Sequence, residues 1–518
     1  MPPAAHWTII GGTSPVVLVA PHGGRRDPAR RPWGSGRLRV NDLHTPALTA
    51  ELAARLGASA LINAERDRNE VDLNRISEAH DGAPGFLERL ADLLHTTLAR
   101  HGRATLLTVH GWNVIQPAVD LGLGCAAGKN PLAVDAGAAV SPAFAAGALG
   151  RLVAACAARG LSATVGARYP ARHRENLLQL FTSRYRHDPR ALVRALAVLA
   201  PQVDAVQLEL GIPLRWPGAW RTALLDACTD CLPALTMPSA GDAVTPAGGP
   251  APATHGPPVR LQFTSSTLCG LVGLDGPTGG RLLLFPPAGG LVLFTGEWLG
   301  AGPPGSVGPL TVRSGVHPDA CHVRLRGPLL RFADTLPFLD LEHGLAGAEL
   351  VDAEVALDFT TAVPPGDRPA GCFGTVAGRV RVAGTPFTVD GSGFYEESAP
   401  AGPWPRLRAQ LELGAHAGLA LTLGLADGQV TGSLRRAGCR VAVVAARAGL
   451  GPDDAPLARV DLDVDLADGQ HVAVRARALH RLPVIRGRGP RPVRLEFAAC
   501  RLENGPPWPV GWCEVGGV

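Results

Sequence analysis

The stretch VVLVAPHGGRRD (Val16–Asp27) reads as a buried strand that ends on coordinating groups: five apolar residues run to Ala20, and His22 and Asp27 follow at once. Working outward, the same construction recurs in RNEVDLNR (Arg68–Arg75), LLTVHGW (Leu106–Trp112) and VQLELG (Val206–Gly211). These deliver Asn74 with Arg75, His110, and Glu209. Buried strands hide apolar surface, so polar groups gathered at their exits point to a shared site rather than to packing. Between apolar runs near residues 16–20, 58–63, 105–109, 162–167 and 204–210 lie helical patterns, among them TPALTAELAARLG, PGFLERLADLLHTTLARHG and PAFAAGALGRLVAACAARG. This alternation predicts an α/β three-layer domain with a mixed sheet and helices on both faces. Thr45 before Pro46 marks a helix start and Gly57 its stop. Asp42 and His44, just ahead of that helix, read as a cap, with a reach into the site as the other option.

Two histidines, one carboxylate and an open fourth position make the ligand set of a catalytic zinc. His22, Asp27 and His110 supply it. Zinc lowers the pKa of bound water to roughly 7 and polarises a carbonyl, which is what amide hydrolysis at neutral pH requires. Glu209 is the natural general base, because a carboxylate at the end of VQLEL is costly to bury without a task or a partner. Asn74 beside Arg75 offers an amide and a guanidinium fork for a substrate carboxylate, and Arg68 is placed to stabilise charge developing on a carbonyl oxygen. Each piece has a plainer reading. PHGG alone fits a tight turn, HGW fits an aromatic-packed turn, and Asp72 fits as a partner for Arg75. Asn113–Gly137 reads as either a substrate-covering loop or a surface excursion. Arg168, in GARYPARHR, belongs to either a cationic pocket wall or a solvated loop.

On PHGG (Pro21–Gly24), RNEVDLNR, VHGW (Val109–Trp112) and QLELG (Gln207–Gly211), in that order, the chain resembles the N-formylglutamate amidohydrolase family. More distantly it resembles the zinc carboxypeptidase, aspartoacylase and phage poly-gamma-glutamate hydrolase group. The resemblance covers about the first 235 residues. It implies a zinc exopeptidase-like fold, a zinc held by His22, a nearby acidic residue and His110, a catalytic Glu209, and a carboxylate grip from Asn74 and Arg75. The implied substrate is a small N-acyl, N-formyl or gamma-glutamyl amide of an acidic amino acid. Two departures stand out: the family usually shows PHSG where this chain has PHGG, and many relatives use glutamate as the acidic ligand.

At 518 residues the chain exceeds one core. We expect a first domain over 1–236, a Pro/Gly/Ala-rich linker over 237–258, and a β-rich region over 259–518 that divides near 366 if it holds two units. Short alternating runs such as VRLQFTS, CHVRLRG and AELVDAEVALDF describe a barrel or sandwich. With GSGFYEESAPAGPW (Gly391–Trp404), this region resembles the lipocalin-like carotenoid hydratase and AttH type. That implies either an apolar ligand in a barrel, with Glu396, Glu397 and Trp404 near its mouth, or a structural appendage. A chain working through this half would be a non-catalytic, isoprenoid- or apolar-ligand-binding protein.

The net charge is +4, Lys129 is the sole lysine, and the arginines are scattered, which argues against nucleic acid as a partner. Ten cysteines spread over this length are no disulfide framework, and Cys228 with Cys231 reads as two thiols on one helix face. Apolar stretches are broken by Pro and Gly short of a membrane span, no signal segment is indicated, and a cytoplasmic location is expected.

Overall fold

The computed structural model describes residues 7–26, 39–125, 137–232, 258–275, 279–299, 304–314, 320–335, 341–361, 371–397, 406–414, 417–425, 428–436, 439–452, 456–486, 493–504 and 509–516. They fall into two compact units, one ending at Leu232 and the other starting at Pro258. Apart from Pro258, the expected linker lies outside the described residues.

The first unit is built on seven strands: β1 (Trp7–Ile10), β2 (Val16–Ala20), β3 (Ser59–Asn63), β4 (Ala104–Trp112), β5 (Ala118–Gly122), β6 (Ser162–Val165) and β7 (Val203–Gly211). Their order in the sheet is β1-β3-β2-β4-β7-β5-β6. Pairings β2–β3, β2–β4, β4–β7 and β5–β6 are parallel, whereas β1–β3 and β5–β7 are antiparallel, so the sheet is mixed. Side chains alternate across it. Leu18, Leu107 and Leu208 pack on one face with α1 (Thr45–Leu56) and the helices Gly150–Ala158 and Ala219–Cys231. Val17, Leu106 and Ala205 pack on the other with α2 (Ile76–Gly82), α3 (Pro84–His101) and the helix Ala191–Ala197. This makes three layers, with β2, β4 and β7 buried along their lengths as parallel strands under helices require.

The stretch from Asn113 differs from its reading as loop, since Ala118–Gly122 is a fully buried strand hydrogen-bonded to β7. Its central Asp120 masked the pattern, because a buried carboxylate looks like loop chemistry until its partners are seen. Those partners are Thr164 Oγ1 at 2.8 Å and the N–H groups of Ala167, Arg168 and Tyr169 at 3.0, 2.8 and 2.6 Å. Residues 126–136 lie outside the described set.

The second unit is antiparallel β throughout its pairing. Its first assembly contains β8 (Val259–Ser265), β9 (Cys269–Leu274), β10 (Gly280–Phe285), β11 (Leu291–Gly296), the short β12 (Ser306–Val307) and β13 (Leu310–Ser314). It continues with β14 (Ala320–Phe332), β15 (Glu349–Thr360), β16 (Gly371–Val382) and β17 (Thr385–Glu396). Pairing of β11 with β14 joins the sheet to itself, so β8–β11 and β14–β17 form a ring of eight. The second assembly is a closed eight-stranded barrel: β18 (Arg406–Gly414), β19 (Ala417–Gly424), β20 (Val430–Arg436), β21 (Cys439–Leu450), β22 (Arg459–Leu466), β23 (His471–Arg486), β24 (Val493–Leu502) and β25 (Gly511–Gly516). The boundary expected near 366 is corrected: β15 and β16 on either side of it pair over eight positions, and the change of sheet comes between Glu396 and Arg406. A Pro/Gly-containing segment between two long strands reads alike whether the strands pair with each other or part.

Inward side chains of the closed barrel, including Leu407, Leu411, Leu421, Leu434, Leu462 and Val464, form one continuous apolar cluster. Eight strands leave an interior that side chains can fill. Glu396 is engaged with Arg408, Glu397 accepts from the Tyr395 hydroxyl at 2.9 Å, and Trp404 lies outside the described residues. All ten cysteines are free thiols, and Cys228 and Cys231 share one helix. Among the described residues no helix is long and apolar enough to cross a membrane.

Candidate metal centre

Even-numbered positions of β4 and odd-numbered positions of β7 share the α3 face of the sheet, and along both strands this face turns from apolar to polar at the carboxyl end. Ala104 and Leu106 are followed by Thr108 and His110, and Val203 and Ala205 by Gln207 and Glu209. His110 and Glu209 are register partners on adjacent parallel strands, so their side chains are neighbours. One strand over, β2 ends and the chain turns through Pro21 to His22, which is buried like His110.

The turn holding His22 is shaped by its glycines and by Asn63. A Cβ on Gly24 would stand 1.8 Å from the Arg66 carbonyl oxygen, and one on Gly23 would stand 2.2 Å from the Pro46 ring. Asn63, fully buried, donates to the carbonyls of Pro21 and Arg66 at 2.8 and 2.9 Å and accepts from the N–H groups of Glu65 and Arg66. His22 O in turn accepts the Asp42 N–H at 2.8 Å, which brings Asp42 into the site.

Three donor atoms converge there. His22 Nδ1 and His110 Nδ1 are 3.2 Å apart, and Asp42 Oδ2 stands 3.3 Å from the first and 3.4 Å from the second. A tetrahedral zinc with bonds of ~2.0–2.1 Å sets neighbouring donor atoms roughly 3.3–3.4 Å apart, so the triangle has the edge lengths that such an ion needs. The protonation pattern agrees. His22 Nε2 lies 2.6 Å from Asp72 Oδ1, a carboxylate that accepts only, so Nε2 carries a proton toward Asp72 and Nδ1 is the ring atom left to face the centre. Burial pushes the His110 imidazolium pKa down to about 4, against a smaller upward pull from the Asp42 hydrogen bond, so this ring is neutral near pH 7. Asp42 is ionised. Burial works against its charge, but Arg68 and the hydrogen bonds of His110 and His22 outweigh burial and hold it well below the usual carboxylate range. Two imidazole nitrogens and a carboxylate oxygen facing one point fit a cation that would replace the protons now shared with Asp42, and the buried His22–Asp42–His110 group could bind a metal.

Asp42 is therefore the carboxylate the structure places with the two histidines. The cap reading is corrected for both residues: His44 occupies the N-cap of α1 with no side-chain cap bond, and the Asp42 carboxylate turns away to the imidazoles. Asp27, the acidic ligand expected from the sequence, lies outside the described residues. The signal in NDLHT was too local to read, since Asp42 reaches the site through a backbone bond to a residue twenty positions earlier.

Around the triad, Arg68 donates to Asp42 Oδ1 and the Val40 carbonyl, each at 3.1 Å, and its own N–H is tied to Asn41 Oδ1. The Asp72 carboxylate also accepts from the Asn74 N–H at 3.0 Å and pairs with Arg39 and, at 3.9 Å, with Arg75 Nε. Arg75 Nη1 reaches His173 Nδ1 at 3.2 Å. The Asn74 amide oxygen is spent on the N–H of Leu177, 103 residues on, at 3.2 Å, so it ties two remote segments together. Arg168 donates its N–H to Asp120 and leaves its side chain exposed. Glu209 Oε1 accepts from Gln207 Nε2 at 2.8 Å, and Gln207 Oε1 accepts from Asn176 Nδ2 at 2.8 Å. Burial first, then Asp42 and Asp120, raise the Glu209 pKa well above the ordinary value. Gln207, Asp120 and Arg215 were missed as site residues; Gln207 carried a signal, two positions before Glu209 on one strand face.

No family model matches the chain, and no curated protein matches it in sequence. In structure the first half is similar to the N-formylglutamate amidohydrolase of Ralstonia eutropha JMP134, at 14% identity and TM-score 0.31, over 45% of this chain and 97% of that one. The remaining part is similar to an AttH-type protein of Nitrosomonas europaea, at 14% identity and TM-score 0.32, over 50% of this chain and 92% of that one. Kievitone hydratase of Nectria haematococca matches at 9% identity and TM-score 0.30, over 50% of this chain and 88% of that one.

Proposed function

We propose that the first unit is a zinc-dependent amidohydrolase that cleaves the C–N amide bond of an N-acyl, N-formyl or gamma-glutamyl derivative of an acidic amino acid. The observation that carries this reading is the triangle of His22 Nδ1, His110 Nδ1 and Asp42 Oδ2, with Glu209 beside His110 on the next strand. Such a triad would hold the ion and leave a fourth position open. The chemistry a divalent ion supplies there is Lewis-acid polarisation of a carbonyl and acidification of water.

The chain's own groups do the rest. Asp72 holds the Nε2–H of His22 and so keeps the Nδ1 lone pair directed at the centre. Glu209 takes a proton and passes it to the leaving nitrogen; Gln207 occupies its Oε1, which leaves Oε2 for the transfer. A carboxyl group with a raised pKa is suited to carrying that proton near neutrality. Of the two residues expected to grip a substrate carboxylate, Arg75 is the candidate, with its guanidinium about one-third exposed. Purified protein tests the reading: stoichiometric zinc, lost in His22→Ala and His110→Ala, together with turnover in a screen of N-acyl amino acids. A folded protein that takes up no zinc overturns it.

A further inference from the structure

Arg215 is fully buried, in the short helix Ile212–Arg215 that follows β7, and none of its hydrogen-bond partners is a carboxylate. Burying an unpaired guanidinium is expensive. What it touches is specific: Nε donates to the Leu210 carbonyl at 3.1 Å, Nη1 to the Leu43 carbonyl at 2.8 Å, and Nη2 to the Trp112 carbonyl at 3.2 Å and to Asn113 Oδ1 at 3.0 Å. Leu210 follows Glu209, Leu43 follows Asp42, and Trp112 stands two residues beyond His110. Gly111 lies between the two sides. A Cβ there would meet Arg215 Nη1 at 2.5 Å and the Asp42 Cβ at 3.0 Å, so guanidinium and ligand residue pack against the same bare backbone.

Resting on the reading above, we propose that Arg215 is the positioning residue of the metal centre: one rigid fork ties together the three chain exits carrying Asp42, His110 and Glu209 and thereby sets the spacing of the donor atoms. Planarity matters here, because five N–H groups in a fixed plane can hold three carbonyls from different segments, whereas an ammonium on a flexible stem cannot fix their mutual distances. The fixed positive charge also faces Asp42 and Glu209, the acids that act on it through space.

Cobalt(II) titration of the full chain, followed by its visible ligand-field bands and by competition with a chelator, tests this. Arg215→Met and Arg215→Lys, with folding checked by circular dichroism, should bind cobalt roughly 10- to 100-fold more weakly, in the range seen when groups supporting metal ligands are removed, and with altered bands. Lysine should fail to restore the wild-type spectrum. Should the methionine variant not fold, Arg215→Lys, which keeps the charge and loses the fork, should by itself show the weakening and the altered bands. Folded variants with wild-type affinity and bands overturn the inference, and full rescue by lysine does so too, since charge alone would then suffice. Wild-type protein that binds no cobalt would instead overturn the metal reading itself.

Discussion

Glu209 and His110 sit side by side with pKa values moved in opposite senses, the acid up and the base down, both chiefly by burial. His110, lowered to about 4, is neutral in the metal-free protein near pH 7, Glu209 is pushed toward its protonated form, and each makes a separate prediction. Glu209→Gln keeps the shape and the bond to Gln207 while removing the proton carrier; turnover should fall by ~10²–10⁴ with zinc content unchanged. Parallel assays of metal and activity check this, and surviving activity removes Glu209 from the mechanism. For His110, the folded pKa of about 4 lies below the ordinary 6.5, so between these values the unfolded chain binds more protons and stability falls as pH falls. Metal-free protein should lose about 2–3 kcal/mol between pH 7 and 4.5 from this ring. Urea unfolding at the two pH values measures it, with His110→Gln removing this ring's share of a dependence to which His44, also lowered to about 4 by burial, contributes. Asp42 and Asp72, both depressed, lose their contribution only as pH falls below the ordinary 3.8, which keeps the two effects apart.

At the level of elements, the site depends on how strand exits are held. The turn after β2 has its geometry set by Asn63 at the end of β3, whose side chain makes four hydrogen bonds to backbone groups on the two crossing segments. Asn63→Ala should therefore cost ~2–3 kcal/mol, the penalty for leaving buried backbone groups unmade, and should weaken metal binding because His22 rides on that turn. A variant with unchanged thermal midpoint and metal affinity would show the turn to be self-supporting. Strand β5 plays a comparable part on the other side, where Asp120 is the register partner of Glu209 and gathers the N–H groups of residues 167–169.

Across the whole molecule, the second unit has its own apolar cores and a buried ionic link between its two β assemblies. Arg408 Nη2 donates to both oxygens of Glu396, at 2.9 and 2.7 Å, and Arg260 pairs with Glu514 at 2.6 Å. Removing Glu396 leaves Arg408 only Glu514, whose Oε2 lies 3.7 Å from Nη1, so Glu396→Ala should destabilise this unit by up to ~3 kcal/mol. Calorimetry checks the loss, and cobalt affinity in the same variant should stay at the wild-type value because the candidate site draws its three donors from residues 22–110. A coupled fall in metal affinity would show that the β-rich unit supports the centre.

Local chemistry made much of this readable. The apolar runs ending at Ala20, Val109 and Leu208, the Pro46 and Gly57 boundaries of α1, and the alternating strands beyond residue 258 all follow from periodicity and turn chemistry, which neighbours in sequence express by themselves. Two histidines and a glutamate at strand exits were legible for the same reason. What only the tertiary structure decided is which acid joins them and what holds them together: Asp42 enters through one backbone bond to His22, Asn74 is drawn off to Leu177, and Arg215 reaches carbonyls from three distant segments. Convergence in space depends on the order of strands in the sheet and on single hydrogen bonds between remote stretches, and neither leaves a periodic trace along the chain.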